Sequence, residues 1–166
     1  LGDSFVGKTS LINQFVNRKY SSEYKSTVGV DLSTKAMMVG DKYVSLQVWD
    51  PSGTERFRSL SDNFFRGTDG CILACAVTSM ESFKNFDSWM EEIIQHTSPS
   101  IPFVAVANKA DIDELEWEVT ASRFESWCNE HHMKHFLVSA KDASNVENAF
   151  NALSEIALNN YKEVEE

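Results

Sequence analysis

Apolar side chains return at helical intervals in four stretches, residues 10–16, 82–96, 120–130 and 146–158. Each predicts a helix with one face on a core. Shorter runs lie between them. Residues 32–39 and 43–49 are rich in branched and aromatic side chains, and Gly40-Asp41 joins them, which predicts a hairpin. Residues 71–77 and 102–107 are continuously apolar, as strands covered on both faces must be, and residues 135–138 predict a short further strand. Two stretches show neither period: residues 18–30, and the segment from Pro51 to Gly67 that follows the abrupt stop at Asp50-Pro51-Ser52-Gly53. Both read as exposed loops. Strand and helix alternate along the chain. The predicted fold is therefore α/β, a doubly wound, mostly parallel six-stranded sheet with helices on both faces. The sixth strand is counted at the start, where about five or six residues are expected ahead of the first loop. Only Leu1 stands there, so that strand is predicted to be truncated.

The first loop carries the most specific chemistry. Gly2, Gly7, Lys8 and Thr9 fill the pattern G-x-x-x-x-G-K-[ST], and a helical period begins immediately after Thr9. A loop of this length running into a helix turns backbone N–H groups around a phosphate, and the helix N-terminus adds partial positive charge. Lys8 is expected to reach the β- and γ-phosphates, and the Thr9 hydroxyl to ligate Mg²⁺.

Composition narrows the setting. With 166 residues, 42% hydrophobic and 24% charged, the chain has the size and make-up of one core-forming domain, and no apolar run is long enough to span a bilayer. Its net charge of −10 argues against nucleic-acid binding, because such a surface gains nothing from counterion release. An anionic nucleotide is still admissible, since the loop and Mg²⁺ set the local field. The cysteines at 71, 75 and 128 suit a reducing compartment; Cys71 and Cys75 share one face of an apolar run and are expected as core thiols. His131-His132 reads as an exposed helix end, with no zinc. The acidic end, residues 163–166, is expected to be a disordered tail after a domain spanning 1–162.

In an open α/β sheet ligands lie beyond the C-terminal ends of the strands. Three short polar sequences stand there. Asp50-x-x-Gly53 supplies an acid that can hold Mg²⁺ through water and a glycine N–H that can approach a γ-phosphate. Asn108-Lys109-Ala110-Asp111 places a carboxylate where it can accept two N–H groups from a guanine edge, and Ser139-Ala140-Lys141 offers a backbone N–H to the guanine oxygen. Adenine presents no matching donor pair, so Asp111 selects for guanine and disfavours an ATP-using enzyme.

Together, Gly2-Asp3-Ser4-x-Val6-Gly7-Lys8-Thr9, Thr27-x-Gly29, Trp49-Asp50-x-x-Gly53, Asn108-Lys109-x-Asp111 and Ser139-Ala140-Lys141 resemble a Ras-superfamily small GTPase across essentially the whole chain. Residues 28–31, 46–50, 55–60 and 64–67 resemble the Rab pattern, and residues 45–49 and 139–147 lean towards its late-endosomal branch. The resemblance implies that Asp3, Ser4, Phe5, Val6, Gly7, Lys8, Thr9 and Ser10 cradle GTP or GDP. It implies that Tyr20 stacks on the base read by Asn108, Lys109, Asp111, Ser139, Ala140 and Lys141. Mg²⁺ would be held by Thr9, Thr27 and Asp50, and hydrolysis served by Lys8, Thr27, Gly53 and Thr54. Residues 20–31 and 51–66 would be switch segments, read with Leu32, Trp49 and Phe64 by effector, exchange-factor and activating proteins. A monomer on the cytosolic face of endosomal or other vesicle membranes is implied. Its membrane contact is expected through a C-terminal lipid anchor that these residues do not contain, with trimming at both ends the simpler account.

The sequence also departs from the family pattern. Thr54 stands where a water-orienting glutamine is usual, which predicts weak intrinsic hydrolysis. The alternative is a pseudo-GTPase scaffold that holds GTP persistently. Pro51 and Ser52 replace the usual Thr-Ala, Phe5 a small loop residue, Leu32 a Phe, and Ala76 an acid. Pro51 fixes φ and removes an N–H, which predicts a stiffer second switch.

Overall fold

The computed structural model describes residues 1–23, 30–51 and 62–165. In chain order these form α1 (Lys8–Asn17), β1 (Asp31–Val39), β2 (Lys42–Asp50), α2 (Asp62–Phe65), β3 (Cys71–Ala76), α3 (Met80–Lys84), α4 (Phe86–His96), β4 (Phe103–Asn108), a 3₁₀ turn (Glu114–Glu116), α5 (Ala121–Glu130), β5 (Lys134–Leu137) and α6 (Val146–Glu165).

β1 and β2 pair antiparallel from Asp31 opposite Asp50 to Val39 opposite Lys42, and Gly40, at φ 62°, makes the turn. β3, β4 and β5 pair in parallel in that order. Parallel neighbours require crossovers, which α3–α4 and α5 provide. The alternating faces of β3 and β4 then divide the core in two. Leu73, Cys75, Ala105 and Ala107 pack with Phe83, Phe86, Ile93 and Phe124 from α3, α4 and α5. Ala74, Ala76, Val104 and Val106 pack with Leu11, Phe15, Val146 and Ala149 from α1 and α6. Helices thus cover both faces, because each strand is apolar on both. Fully burying one Phe or Leu side chain contributes about 1.5–3 kcal/mol.

The doubly wound α/β class holds, but the expected single six-stranded sheet is five strands in two sheets among the described residues. The reason lies between β2 and β3, where a cleft of about 490 Å³ is lined by Leu46, Val48, Ile72 and Ala74. Leu1 reaches into strand pairing there, its N–H₃⁺ donating to Ile72 O at 2.7 Å and its carbonyl accepting from Ala74 N at 2.8 Å. That is the bonding of a parallel strand opposite Leu73.

Two other expectations are corrected. The helix predicted over 82–96 starts earlier, where Ser79 Oγ accepts from Ser82 N at 3.2 Å, and it breaks into α3 and α4 at Asn85. The acidic end is helical through Glu165, since lysine and glutamate are strong helix formers. The three cysteines are free and buried, with burial raising the thiols of Cys71 and Cys75 and pushing Cys128 up to about 12. No helix among the described residues is long and apolar enough to cross a membrane.

Candidate functional site

The ends of β2, β4 and β5 and the loop before α1 meet at one edge of the molecule. Each glycine of the loop is dictated by close approach. A Cβ on Gly2 would stand 2.2 Å from Ala74 O, and one on Gly7, at φ 94°, would stand 2.4 Å from Asn108 Nδ2. Gly7 also begins α1 with no side chain to cap it, so the helix opens its N-terminal field towards the loop. Lys8 is buried, and its Nζ donates to Gly2 O at 2.7 Å and Asp3 O at 2.6 Å, which holds the ammonium across the loop. Val6 is buried, Ser4 and Ser10 are half-buried, and Thr9 is exposed.

Thr9 and Asp50 come together as expected. Thr9 Oγ1 donates to Asp50 Oδ2 at 2.5 Å, with Asp50 buried at the end of β2. Two hard oxygen ligands converging beside a phosphate loop fit Mg²⁺. The other expected metal and catalytic positions, Thr27, Gly53 and Thr54, lie outside the described residues, as do residues 24–29 and 52–61 of the two switch segments.

On the other side, Asn108 ties three loops together. Its Nδ2 donates to Val6 O at 2.8 Å and its Oδ1 accepts from Ala140 N at 3.2 Å. Ser139 Oγ donates to Asp111 Oδ1 at 2.8 Å and accepts from Asp142 N at 3.2 Å, which fixes the carboxylate that faces solvent. Lys109 stands at φ 67°, turning the chain sharply between the buried Asn108 and the exposed Asp111. Lys141 is exposed, and Tyr20 is 42% exposed after α1. An exposed carboxylate beside a sharp backbone turn can receive a planar base carrying paired donors.

Long-range partners join this site that no sequence motif announces. Gln14 Nε2 donates to Ala140 O at 2.8 Å, and Asn85 and Trp89 both reach Asp3. Their separations of 126, 82 and 86 residues place them beyond any local pattern.

The comparisons with known proteins agree with this geometry. The Ras family matches residues 1–159. "Ras-related protein RABG3c" of Arabidopsis thaliana is 46% identical over 99% of this chain and 83% of its own. The chain belongs to the Ras family. "Ras-related protein Rab7" of Drosophila melanogaster is 45% identical over 95% of this chain and 78% of its own. "Ypt/Rab-type GTPase ypt7" of Schizosaccharomyces pombe is 44% identical over 96% and 80%. Within the Ras family the chain is a Rab small GTPase of the late-endosomal branch, and it shares the family's use of GTP, GDP and Mg²⁺.

Two surface features bear on how this family member meets its surroundings. Phe5, where a small residue is usual, is 58% exposed and sits at φ 68°, a left-handed conformation that is costly for a bulky side chain. Leu32, Trp49 and Phe64 are contiguous. Leu32 lies opposite Trp49 in the β1–β2 ladder, Trp49 packs edge-on to Phe64 at 5.9 Å, and Trp49 is 51% exposed. Trp49 is therefore surface rather than core.

Proposed function

We propose that this Rab GTPase is a slow GTP/GDP switch in endosomal or vacuolar membrane traffic, with residues 1–162 acting as one G domain. The observation that carries the nucleotide reading is the Asn108 bridge, one buried amide joining Val6 of the phosphate loop to Ala140 of the base loop. Phosphate and base ends are thereby held at a fixed distance, which suits a nucleoside polyphosphate better than a free phosphate. Asp3, Ser4, Phe5, Val6, Gly7, Lys8, Thr9 and Ser10 cradle the phosphates; Asn108, Lys109, Asp111, Ser139, Ala140, Lys141 and Tyr20 take the guanine. Thr9, Asp50 and Thr27 would hold Mg²⁺, which when bound neutralises charge on the β- and γ-phosphates.

Hydrolysis adds water to the γ-phosphorus and releases GDP. Lys8 supplies positive charge beside the transferred group, and Gly53 an N–H at the γ-phosphate. The water-orienting position is Thr54, a side chain too short to reach where a glutamine amide reaches. Since positioning is most of what such proteins contribute, intrinsic turnover is slow. The contiguous Leu32, Trp49 and Phe64, with residues 20–31 and 51–66, form the face for effector, exchange and activating proteins. The protein acts as a monomer on the cytosolic side of its membrane, anchored by a C-terminal lipid.

The test loads the protein with GTP and Mg²⁺ and follows bound nucleotide by chromatography over hours, beside Thr54→Gln. Persistent GTP that Thr54→Gln depletes faster supports the slow switch. Equal and rapid loss from both shows that another residue orients the water. Persistence in both, including with activating protein, favours a scaffold that keeps GTP.

A further inference from the structure

Asp3 lies inside the phosphate loop at a position the loop's pattern leaves free. Its two ends do different things. The main-chain carbonyl accepts from Lys8 Nζ at 2.6 Å, while the carboxylate faces the opposite side of the core, Oδ2 accepting from Asn85 Nδ2 at 2.7 Å and Oδ1 from Trp89 Nε1 at 2.8 Å. Both donors come from the α3–α4 junction. Asn85 is the residue before α4, where an asparagine ordinarily caps the helix, yet its side chain makes no cap bond and goes to Asp3 instead. Trp89 follows one turn later, so the two present their N–H groups from the same helix face. Asn85, Trp89 and Asp3 are all half-buried, which shields these bonds from competing water.

A carboxylate in a phosphate-binding loop repels the anion the loop receives. Two N–H donors reduce that repulsion by drawing the charge towards α4, and they fix the segment whose carbonyls hold Lys8. We propose that Asn85 and Trp89 are positioning residues that clamp the phosphate loop through Asp3, and that this clamp sets how long the protein retains its nucleotide. The proposal rests on the reading of this loop as the phosphate site.

The test measures release of a fluorescent GDP from the Mg²⁺-loaded protein. Trp89→Phe keeps the ring and loses the donor; Asn85→Asp keeps the shape and sets a second carboxylate against Asp3. Each is expected to speed release about tenfold, the scale of one hydrogen bond to a charged group. For Asn85→Asp the acceleration is expected to shrink at high salt, a response that a packing defect does not give. In an Asp3→Ala background Trp89→Phe is expected to add nothing, because its effect runs through the missing carboxylate. Wild-type release rates from both single variants overturn the clamp, and so does an equal effect of Trp89→Phe with and without Asp3. If Trp89→Phe does not fold, Asn85→Asp and its salt response carry the same decision. A wild-type protein that holds no GDP sinks the reading of the site itself, whereas one that holds it while the variants match it sinks only the clamp.

Discussion

The base end and the phosphate end of the proposed site are tied down by different parts of the molecule. At the base end, Asn108 and Ser139 are buried and each side chain makes two hydrogen bonds, to Val6, Ala140, Asp111 and Asp142. Every contact there supports another. At the phosphate end, the same loop carries Phe5 exposed at φ 68°, a conformation that costs an L-residue about 1–2 kcal/mol. Left-handed residues occur at both ends, Lys109 at φ 67° and Phe5 at φ 68°, so the difference lies in the ties: the base loops hold one another through Asn108 and Ser139, whereas the phosphate loop is held across itself by Lys8 and from outside by Asn85 and Trp89.

Breaking the bridge between the two ends should have the largest effect. Asn108→Ala removes a buried donor and acceptor and leaves Val6 O and Ala140 N without that partner, at about 1–3 kcal/mol for each unsatisfied group. The urea midpoint should fall clearly, and GTP affinity should fall by at least about tenfold more than stability alone explains. An unchanged midpoint would show the bridge to be incidental. Ser139→Ala tests the base end alone. It leaves Asp111 without the hydroxyl that aligns it, and guanine nucleotide affinity should drop about tenfold with little change at the phosphate end, read by competition of GDP against free phosphate analogues.

The strain at Phe5 makes the opposite prediction. Phe5→Gly removes the left-handed penalty but adds about 0.5–1 kcal/mol of backbone entropy to the unfolded chain. The net should be a small gain, a rise of a few degrees in Tm for a chain of this size. A fall would mean that the contacts of the Phe5 ring outweigh its backbone cost.

The smallest effect concerns acid stability beside the base loop. Asp142 is held below the usual carboxylate range, chiefly by the Ser144 hydroxyl at 2.5 Å and then by the Ser144 N–H at 2.9 Å. A carboxylate lowered on folding adds stability above its unfolded pKa and loses it as pH falls through the folded value. Ser144→Ala should therefore lower stability slightly at neutral pH and leave it unchanged at strongly acid pH. A mutant that loses stability equally at both would show that Ser144 acts by packing.

Much of this was legible in the chain. Period and apolar runs located the major helices and the five observed strands to within a few residues, because buried faces impose their spacing on sequence. The phosphate loop, Asp50, and the Asn108 and Ser139 loops were legible because each chemistry needs fixed residue types within a few positions of one another. The break at Asn85 was not, since the apolar period runs unbroken across it. Nor was the helical end of α6, where acidic composition suggested solvent and intrinsic helix propensity prevailed.

By itself, then, the sequence determined the alternation of strands and helices, the short motifs at strand ends and the family they indicate, all of which are encoded by neighbours along the chain. Tertiary structure alone decided that the strands form two sheets, that Trp49 lies at the surface, and that Asp3 is held by Asn85 and Trp89. The last of these depends on residues some eighty positions apart meeting across a packed core. No local pattern records such meetings, because side-chain hydrogen bonds between distant elements are chosen by the geometry that burial of the core has already imposed.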